Sequence, residues 1–109
     1  MKPIPKRMLI HTADLKSITH DIWQTETSSL ISRLKNIRIE PCSKIVTDKQ
    51  NKQLTLSAVM FYDCRNSYPQ NINFVHGQKI VFNDKQYTIE VIEPLYDGTK
   101  LHHYELGLI

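Results

Sequence analysis

The chain has 109 residues and an apolar fraction of 40%, which suffices for one compact core and excludes a multidomain protein. Its 14 basic and 11 acidic residues are interspersed and give a formal charge of +3, which argues against a basic nucleic-acid arm or an acidic tail. Two cysteines, Cys42 and Cys64, exclude a disulfide-rich framework, and we expect reduced thiols in a cytoplasmic setting.

The N-terminal third carries the weakest pattern. Residues 8 to 24 contain scattered apolar side chains and predict one or two strands. The apolar residues of 28–40 fit a helical stripe, but those nearest Pro41 also alternate as in a strand. We favour a strand from Lys35 to Glu40, since a proline ends either element.

The middle of the chain contains a polar stretch followed by a stretch in which side chains alternate as in a strand. Cys42 to Gln53 is a polar stretch that contains Asp48-Lys49-Gln50-Asn51-Lys52, and it predicts a long, mobile loop, which in a compact domain is usually functional or disordered. Leu54 to Tyr62 alternates and predicts a strand with one face in the core. Val59 and Phe61 lie on its other face, which indicates a central strand or a covered outer surface.

Turn-forming residues then dominate from Asp63 to Pro69. Asp63 and Asn66 are expected to bond local backbone amides, and Pro69 to fix the exit direction of the chain. The stretch therefore predicts a capped turn.

The C-terminal third predicts a hairpin and a final strand. Lys79–Phe82 and Tyr87–Ile92 flank a polar four-residue connection. Pairing Phe82 with Tyr87 and Ile80 with Ile89 places their side chains on one face and sets Lys79 opposite Glu90. The last strand, Leu101 to Leu108, continues this face when Leu106 lies beside Ile89. That register sets Glu105 beside Glu90, an acid pair that Lys79 or a partner has to relieve.

Together these elements predict a mostly β fold. About six short strands without room for crossover helices favour one domain over residues 1–109, a small antiparallel β-barrel with a long loop. The longest apolar run, Ala58 to Tyr62, is far shorter than the roughly 20 residues of a membrane-spanning helix. The N-terminus has no signal-peptide pattern, so we expect a soluble protein.

No motif for catalysis or metal binding stands out. Close ligand pairs such as C-x-x-C are missing, and His102 and His103, adjacent on a predicted strand, are expected to point to opposite faces. There is no nucleophile elbow and no glycine-rich phosphate loop. We therefore expect no metal, no cofactor and no enzymatic activity.

Three stretches carry a resemblance to a known family. They are Met60-Phe61-Tyr62-Asp63-Cys64-Arg65-Asn66-Ser67-Tyr68-Pro69, then Gly77-Gln78-Lys79-Ile80 with Tyr87-Thr88-Ile89, and finally Leu101-His102-His103-Tyr104-Glu105-Leu106. A hydrophobic strand ending in Asp and an Asn-Ser turn, a glycine before a short strand, and a terminal His-His-Tyr-Glu stretch recur in that family. From about residue 35 onward the chain resembles the minor capsid or head-closure proteins of tailed phages and Gram-positive prophages.

The resemblance implies a structural virion protein of the head-tail connector. Such a protomer forms a homo-oligomeric ring on the portal or adaptor complex, closes the portal channel after DNA packaging and provides the surface for tail attachment. The expected partners are the portal or adaptor, tail proteins and packaged double-stranded DNA through non-specific contact, with no membrane. The expected location is the host cytoplasm during assembly and then the virion.

The resemblance also assigns candidate site residues. Contacts with neighbouring subunits or the portal are expected at Asp63, Asn66, Ser67, Pro69, His102, His103 and Glu105. In related closure proteins a long loop projects into the channel and retains DNA, and by position the lysines of that loop here are Lys44, Lys49 and Lys52.

Two other interpretations remain open. One is a tail-completion protein, which would share the fold and bind the tail tube. The other is an OB-like nucleic-acid-binding barrel, which needs aromatic platforms beside a basic groove. Its candidate aromatics, Phe61, Tyr62, Phe74 and Phe82, are mostly explained as core residues.

Overall fold

A computed structural model describes residues 2–20, 23, 26–47 and 50–109. A short 3-10 helix (Lys6–Met8) precedes six strands, β1 (His11–His20), β2 (Glu26–Thr47), β3 (Gln53–Asp63), β4 (Lys79–Phe82), β5 (Lys85–Asp97) and β6 (Lys100–Leu108). All paired strands are antiparallel, in the order β1-β2-β3-β6-β5-β4, and β4 pairs back with β1. The sheet therefore closes into a ring, which confirms the predicted mostly β, six-stranded antiparallel fold.

The core fills the inside of this ring. Ala58, Met60 and Tyr62 of β3 point inward, as the alternation of Leu54 to Tyr62 predicts, and are buried. Leu106 and Leu108 of β6 are buried beside them. Within the described residues, no helix is long and apolar enough to cross a membrane.

The prediction of a long loop over residues 42–53 is wrong for residues 42–47 and for Gln53, which are strand, and residues 48–49 lie outside the described residues. Residues up to Thr47 continue β2 and pair with the start of β3, with Lys44 opposite Leu56 and Thr47 opposite Gln53. β6 pairs with β3 only from Ala58 onward, so this hairpin extends past the closed ring of strands. We call residues 42–56 the arm. Its polar sequence hid a strand because Leu56 is the only buried side chain among the described arm residues.

The segment before the arm is also more extended than predicted. The favoured strand from Lys35 to Glu40 is part of the 22-residue β2, and the helical alternative for 28–40 is wrong. Residues 8 to 24 contribute one strand, β1, with Ala13 and Leu15 buried in the core.

The registers of the C-terminal strands differ from the predicted ones. β4 and β5 are joined by only two residues, Asn83 and Asp84, with φ values of 50° and 61° that suit a tight hairpin turn. Ile80 consequently lies opposite Tyr87, and Lys79 lies opposite Thr88 and donates to its hydroxyl at 2.6 Å. The shift is two residues, so the apolar side chains keep the inner face that was predicted.

A bulge also displaces the pairing of β5 with β6. The register shifts between Ile89 and Val91, so Ile89 lies opposite Leu108 and Glu105 lies opposite Glu93 instead of Glu90. The predicted acid pair therefore exists with a different partner. Lys79, on β4, is bonded elsewhere and does not bridge it.

His11 gives the fold a pH dependence. The Ile39 N–H donates to His11 Nδ1 at 3.0 Å, and burial, with Arg38 adding to it, lowers the pKa of His11 from 6.5. Since the unfolded chain binds this proton more readily, the free energy of unfolding should fall as the pH drops below about 6.5. We expect urea unfolding at several pH values to show a smaller acid-side decrease for His11→Asn; an unchanged decrease would contradict this assignment.

Candidate assembly surface

The Asp63–Pro69 turn is built around one buried carboxylate. Asp63 has no exposed surface, and its Oδ1 accepts the backbone N–H groups of Arg65 and Asn66 at 2.9 Å each. The Ser67 Oγ accepts the Asp63 N–H at 2.9 Å, and the Ser67 N–H donates to the Asp63 carbonyl. The predicted capping role of Asp63 is confirmed.

An irregularity in β2 receives this turn. Between His11 and Ala13 the β1–β2 register shifts, and Asn36 takes a positive φ of 55°. Lys35 instead exchanges two backbone hydrogen bonds with Tyr68, at 2.8 and 2.9 Å. The Ser67 hydroxyl donates to the Asn36 carbonyl, so the turn is joined to β2 by backbone and side chain together.

The N-terminal segment lies over the same turn. Asp63 Oδ2 accepts the Ile4 N–H at 2.8 Å, and Asn66 Nδ2 donates to the Ile4 carbonyl at 2.8 Å. Asn66 therefore bonds a distant segment, whereas the sequence suggested a local amide. Together Asp63 and Asn66 hold both polar backbone groups of Ile4.

The predicted interface residues of the turn differ in how far they are exposed and in where their polar atoms bond. Asp63 and Ser67 are buried, and their polar atoms bond within the chain. Asn66 and Pro69 are half-buried, and the Tyr62 hydroxyl donates to the Pro69 carbonyl. The surface of the turn comes from Arg65 and from Tyr68, which is 59% exposed. Sequence reasoning did not select Tyr68 as an interface residue.

An aromatic cluster lies under the turn. The rings of Tyr62, Phe74 and Tyr104 contact one another, with centroids 5.3 to 6.1 Å apart. Burial raises the pKa of Tyr62 to about 12 and also raises the pKa of the neighbouring Cys64 thiol. Because Tyr62 and Phe74 are buried, neither forms a platform for stacked bases, which weighs against the OB-like interpretation.

His102 and His103 contact each other, contrary to the prediction that they point to opposite faces. Leu95 pairs with His103 and Tyr96 with Leu101, so His102 is the extra residue of a bulge. The two Nδ1 atoms lie 2.7 Å apart, and His102 Nε2 donates to the Lys2 carbonyl at 2.7 Å. A neutral His102 then accepts at Nδ1, and His103 is the donor. His103 Nε2 lies 3.7 Å from Glu105 Oε2.

Glu105 belongs to a second feature, a groove on the outer face of the barrel. The arm forms one wall and β3, β6 and β5 form the floor, enclosing a cavity of about 220 Å³. We call it the acidic groove, and it is lined by Glu40, Cys42, Lys44, Val46, Leu56, Val59, Phe61, Val91, Glu93, Glu105 and Gly107. The apolar outer residues Val59 and Phe61 thus have the covered face that their strand predicted.

The charges of the acidic groove are unevenly balanced. The Glu40 carboxylate accepts from Arg38 Nε at 2.7 Å. Glu93 and Glu105 lie directly opposite each other on β5 and β6, and no described residue forms an ion pair with Glu93. Like charges at opposed positions are destabilising, so this pair of carboxylates opposes the pairing of β5 with β6. His103 Nε2 lies 3.7 Å from Glu105, and Lys44 lines the arm side of the groove.

Gly107 lets the floor of the acidic groove close. A Cβ at this position would lie 2.9 Å from Leu56 Cδ2 and 2.9 Å from Val91 Cβ. Leu56 can move but the Val91 Cβ cannot, so Gly107→Ala should lower the free energy of unfolding by about 1 to 3 kcal/mol. Urea unfolding measures this, with Gly107→Ala in a Val91→Gly background as the relieved control. Equal losses in both backgrounds would mean that the close approach is not the cause.

The fold and these surfaces define a class of protein. A small closed sheet with a projecting arm, an exposed tyrosine turn and a concave acidic face is typical of a structural assembly subunit, and no cluster of metal ligands occurs in the described ranges. The chain belongs to the minor capsid protein family, whose model, described as "Minor capsid protein", matches residues 5–108. No curated protein and no solved structure matches the chain.

Family membership fixes the general role. The chain is a structural protein of the phage virion. The family match also extends the resemblance seen from about residue 35 to nearly the whole chain, residues 5–108.

Proposed function

We propose that this minor capsid protein is a head-closure protein of the head-tail connector. In this role it forms a homo-oligomeric ring on the portal or adaptor complex, closes the channel after DNA packaging and presents the surface to which the tail attaches. It assembles from the host cytoplasm onto the particle and acts without enzymatic chemistry. Family membership supports the virion location, and the arm is the observation that carries the connector role.

The arm suits a channel-closing element. It is a paired ribbon and not a disordered loop, so it can hold a fixed position in a narrow space. Its exposed side chains include Lys44, Lys52 and Ile45, which is 66% exposed. Lysines near a DNA path bind phosphates without regard to sequence, as a plug against packaged DNA requires. Lys49, the third predicted channel residue, lies outside the described residues.

Subunit and tail contacts are expected where the barrel exposes large polar-tipped side chains. Tyr68 of the turn and Tyr96 of β5 are 59% and 58% exposed, and tyrosine is enriched at protein interfaces. His102, His103 and Glu105 stay half-exposed candidates on β6.

Electron cryomicroscopy of the finished particle tests the proposed location. Density for this barrel between the portal and the tail, with the arm directed at the channel axis, is the expected result. Density on the capsid shell away from the tail vertex would contradict the connector role. Density within the tail alone would favour the tail-completion interpretation.

Glu105→Lys should separate assembly from folding. Because the new lysine faces Glu93, the monomer should keep its stability or gain up to about 1 kcal/mol. Assembly should fall, since the substitution reverses the charge of a face proposed to meet a neighbour. Complementation of a phage lacking the gene measures assembly, and thermal unfolding measures the monomer. Normal particle yield with Glu105→Lys would remove this residue from the interface.

A further inference from the structure

On the outer face that carries the acidic groove, basic and acidic side chains lie on different strands. Along one row of the sheet, Arg38 on β2, Phe61 on β3, Glu105 on β6 and Glu93 on β5 lie side by side. Arg38, paired with Glu40, stands at the β2 end, and the two facing carboxylates Glu93 and Glu105 stand at the β5 end.

The β2 end is reinforced by the N-terminal 3-10 helix. Arg38 Nη1 donates to the Met8 carbonyl at 3.2 Å, which places the helix Lys6–Met8 beside this end of the row. None of the three helix residues is buried. Lys6 and Arg7 are exposed there, together with Met8 at 44% and Ile10 at 65% exposure. We call residues 6–10 the basic turn.

The basic turn and the acidic groove are complementary in two respects. Two cations on the turn, Lys6 and Arg7, match the two facing carboxylates of the groove, Glu93 and Glu105. Glu105 has only a histidine beside it, with His103 Nε2 at 3.7 Å, and Glu93 forms no ion pair with a described residue. Exposed apolar groups on the turn match the floor formed by Val59 and Phe61. Since the two surfaces lie at opposite ends of one face, a single copy cannot join them without distorting its sheet. Two copies placed side by side can.

We propose that the basic turn of one copy docks into the acidic groove of the next copy. This inference rests on the proposed ring assembly and names the contact that forms the ring. A contact between two different surfaces is head-to-tail, and such contacts generate a closed ring when the rotation between copies closes. The partner's cations lie between the carboxylates of Glu93 and Glu105, so assembly reduces the repulsion between these two like charges.

Charge reversal on each side tests the contact. Lys6→Glu with Arg7→Glu reverses the turn, and Glu93→Lys with Glu105→Lys reverses the groove. Each double variant should weaken self-association by about tenfold or more at low salt, as measured by sedimentation, and should lower particle yield in complementation. Lys16→Glu is the matched control and should assemble normally, because Lys16 is a half-buried residue of β1 that pairs with Leu30 and Lys79, away from both surfaces. Thermal unfolding confirms that each variant folds.

Recombining the reversed surfaces gives the decisive result. The four-fold variant has a negative turn and a positive groove, and it should assemble like the parent. Mixing the two double variants should also restore assembly, because each then offers the complement of the other. Failure of both recombinations with folded proteins would overturn the contact. A defect in the reversed groove with none in the reversed turn would also overturn it, since the groove would then receive a different basic partner.

These outcomes are separable from the proposed function. If particles lacking the protein still join heads to tails, head closure is wrong, and sedimentation still reports whether copies associate through the two surfaces. If deletion separates heads from tails and the recombined variants stay defective, head closure stands and the proposed contact does not.

Discussion

Asp63→Ala should lower the free energy of unfolding by about 3 to 5 kcal/mol, the largest stability loss expected from a polar substitution in this chain. The carboxylate accepts three backbone N–H groups, from Ile4, Arg65 and Asn66, and it is fully buried. Removing it leaves donors without acceptors at the point where the N-terminal segment, the turn and β3 meet. Urea unfolding followed by circular dichroism gives the measurement.

Two further variants make this result specific. Asp63→Asn keeps the shape of the side chain but places an amide NH₂ where one carboxylate oxygen accepted backbone N–H groups. It should therefore lower the free energy of unfolding by about 2 kcal/mol. Asp14→Ala is the matched control, because Asp14 pairs with Arg33 at 3.0 Å on the surface and should lose less than about 1 kcal/mol. Similar losses for Asp63→Ala and Asp14→Ala would contradict the central role of the buried carboxylate.

Shortening the arm should leave the barrel folded and make filled heads lose their DNA. Joining Ile45 to Thr55 through Asn-Gly, a favoured two-residue hairpin turn, keeps two arm pairs and removes residues 46–54. None of the removed residues belongs to the buried core cluster, so the loss of stability should be small. Without the arm nothing closes the channel, and we expect empty or leaking heads by electron microscopy of the complemented phage.

A charge variant of full length separates two causes of this leakage. Replacing Lys44, Lys49 and Lys52 by glutamine keeps the arm and removes its cations. Leakage that grows with salt in the parent and is already present in this variant would indicate phosphate binding. Retention of DNA by the glutamine variant, with leakage from the shortened one, would indicate a steric plug. Full DNA retention by the shortened arm would contradict the channel role.

The sequence predicts the inner face of this fold well, because that face follows a period of two. The alternation of Leu54 to Tyr62 and the apolar positions of β4, β5 and β6 identify the buried side chains even where the register is off by two residues. A shift by an even number preserves the face, so the core survives errors in pairing.

The parts that could not be predicted depend on irregular backbone and on distant contacts. The bulge at Glu90 moves Glu105 opposite Glu93, and the bulge at His102 brings two adjacent histidine rings together. The alternation of apolar and polar residues along a strand does not reveal either bulge. The hydrogen bonds of Asp63 and Asn66 to Ile4 join residues about sixty positions apart, so no local pattern reveals that this turn holds the N-terminal segment.

The arm was missed for a related reason. Polar composition over 42–53 reads as a loop, yet β2 continues to Thr47 because its hydrogen bonds are made with β3 alone. The acidic groove follows from that arm, so its full lining could not be assembled from sequence. The one indication of the groove in the sequence was the pair of apolar residues Val59 and Phe61 on the outer face of their strand.

Deleting the gene in the producing phage and examining the particles by electron microscopy tests the head-closure role most directly. We expect DNA-filled or leaking heads lying apart from finished tails, with the wild-type gene in trans restoring joined particles. Intact heads correctly joined to intact tails would contradict it, as would heads joined to defective tails.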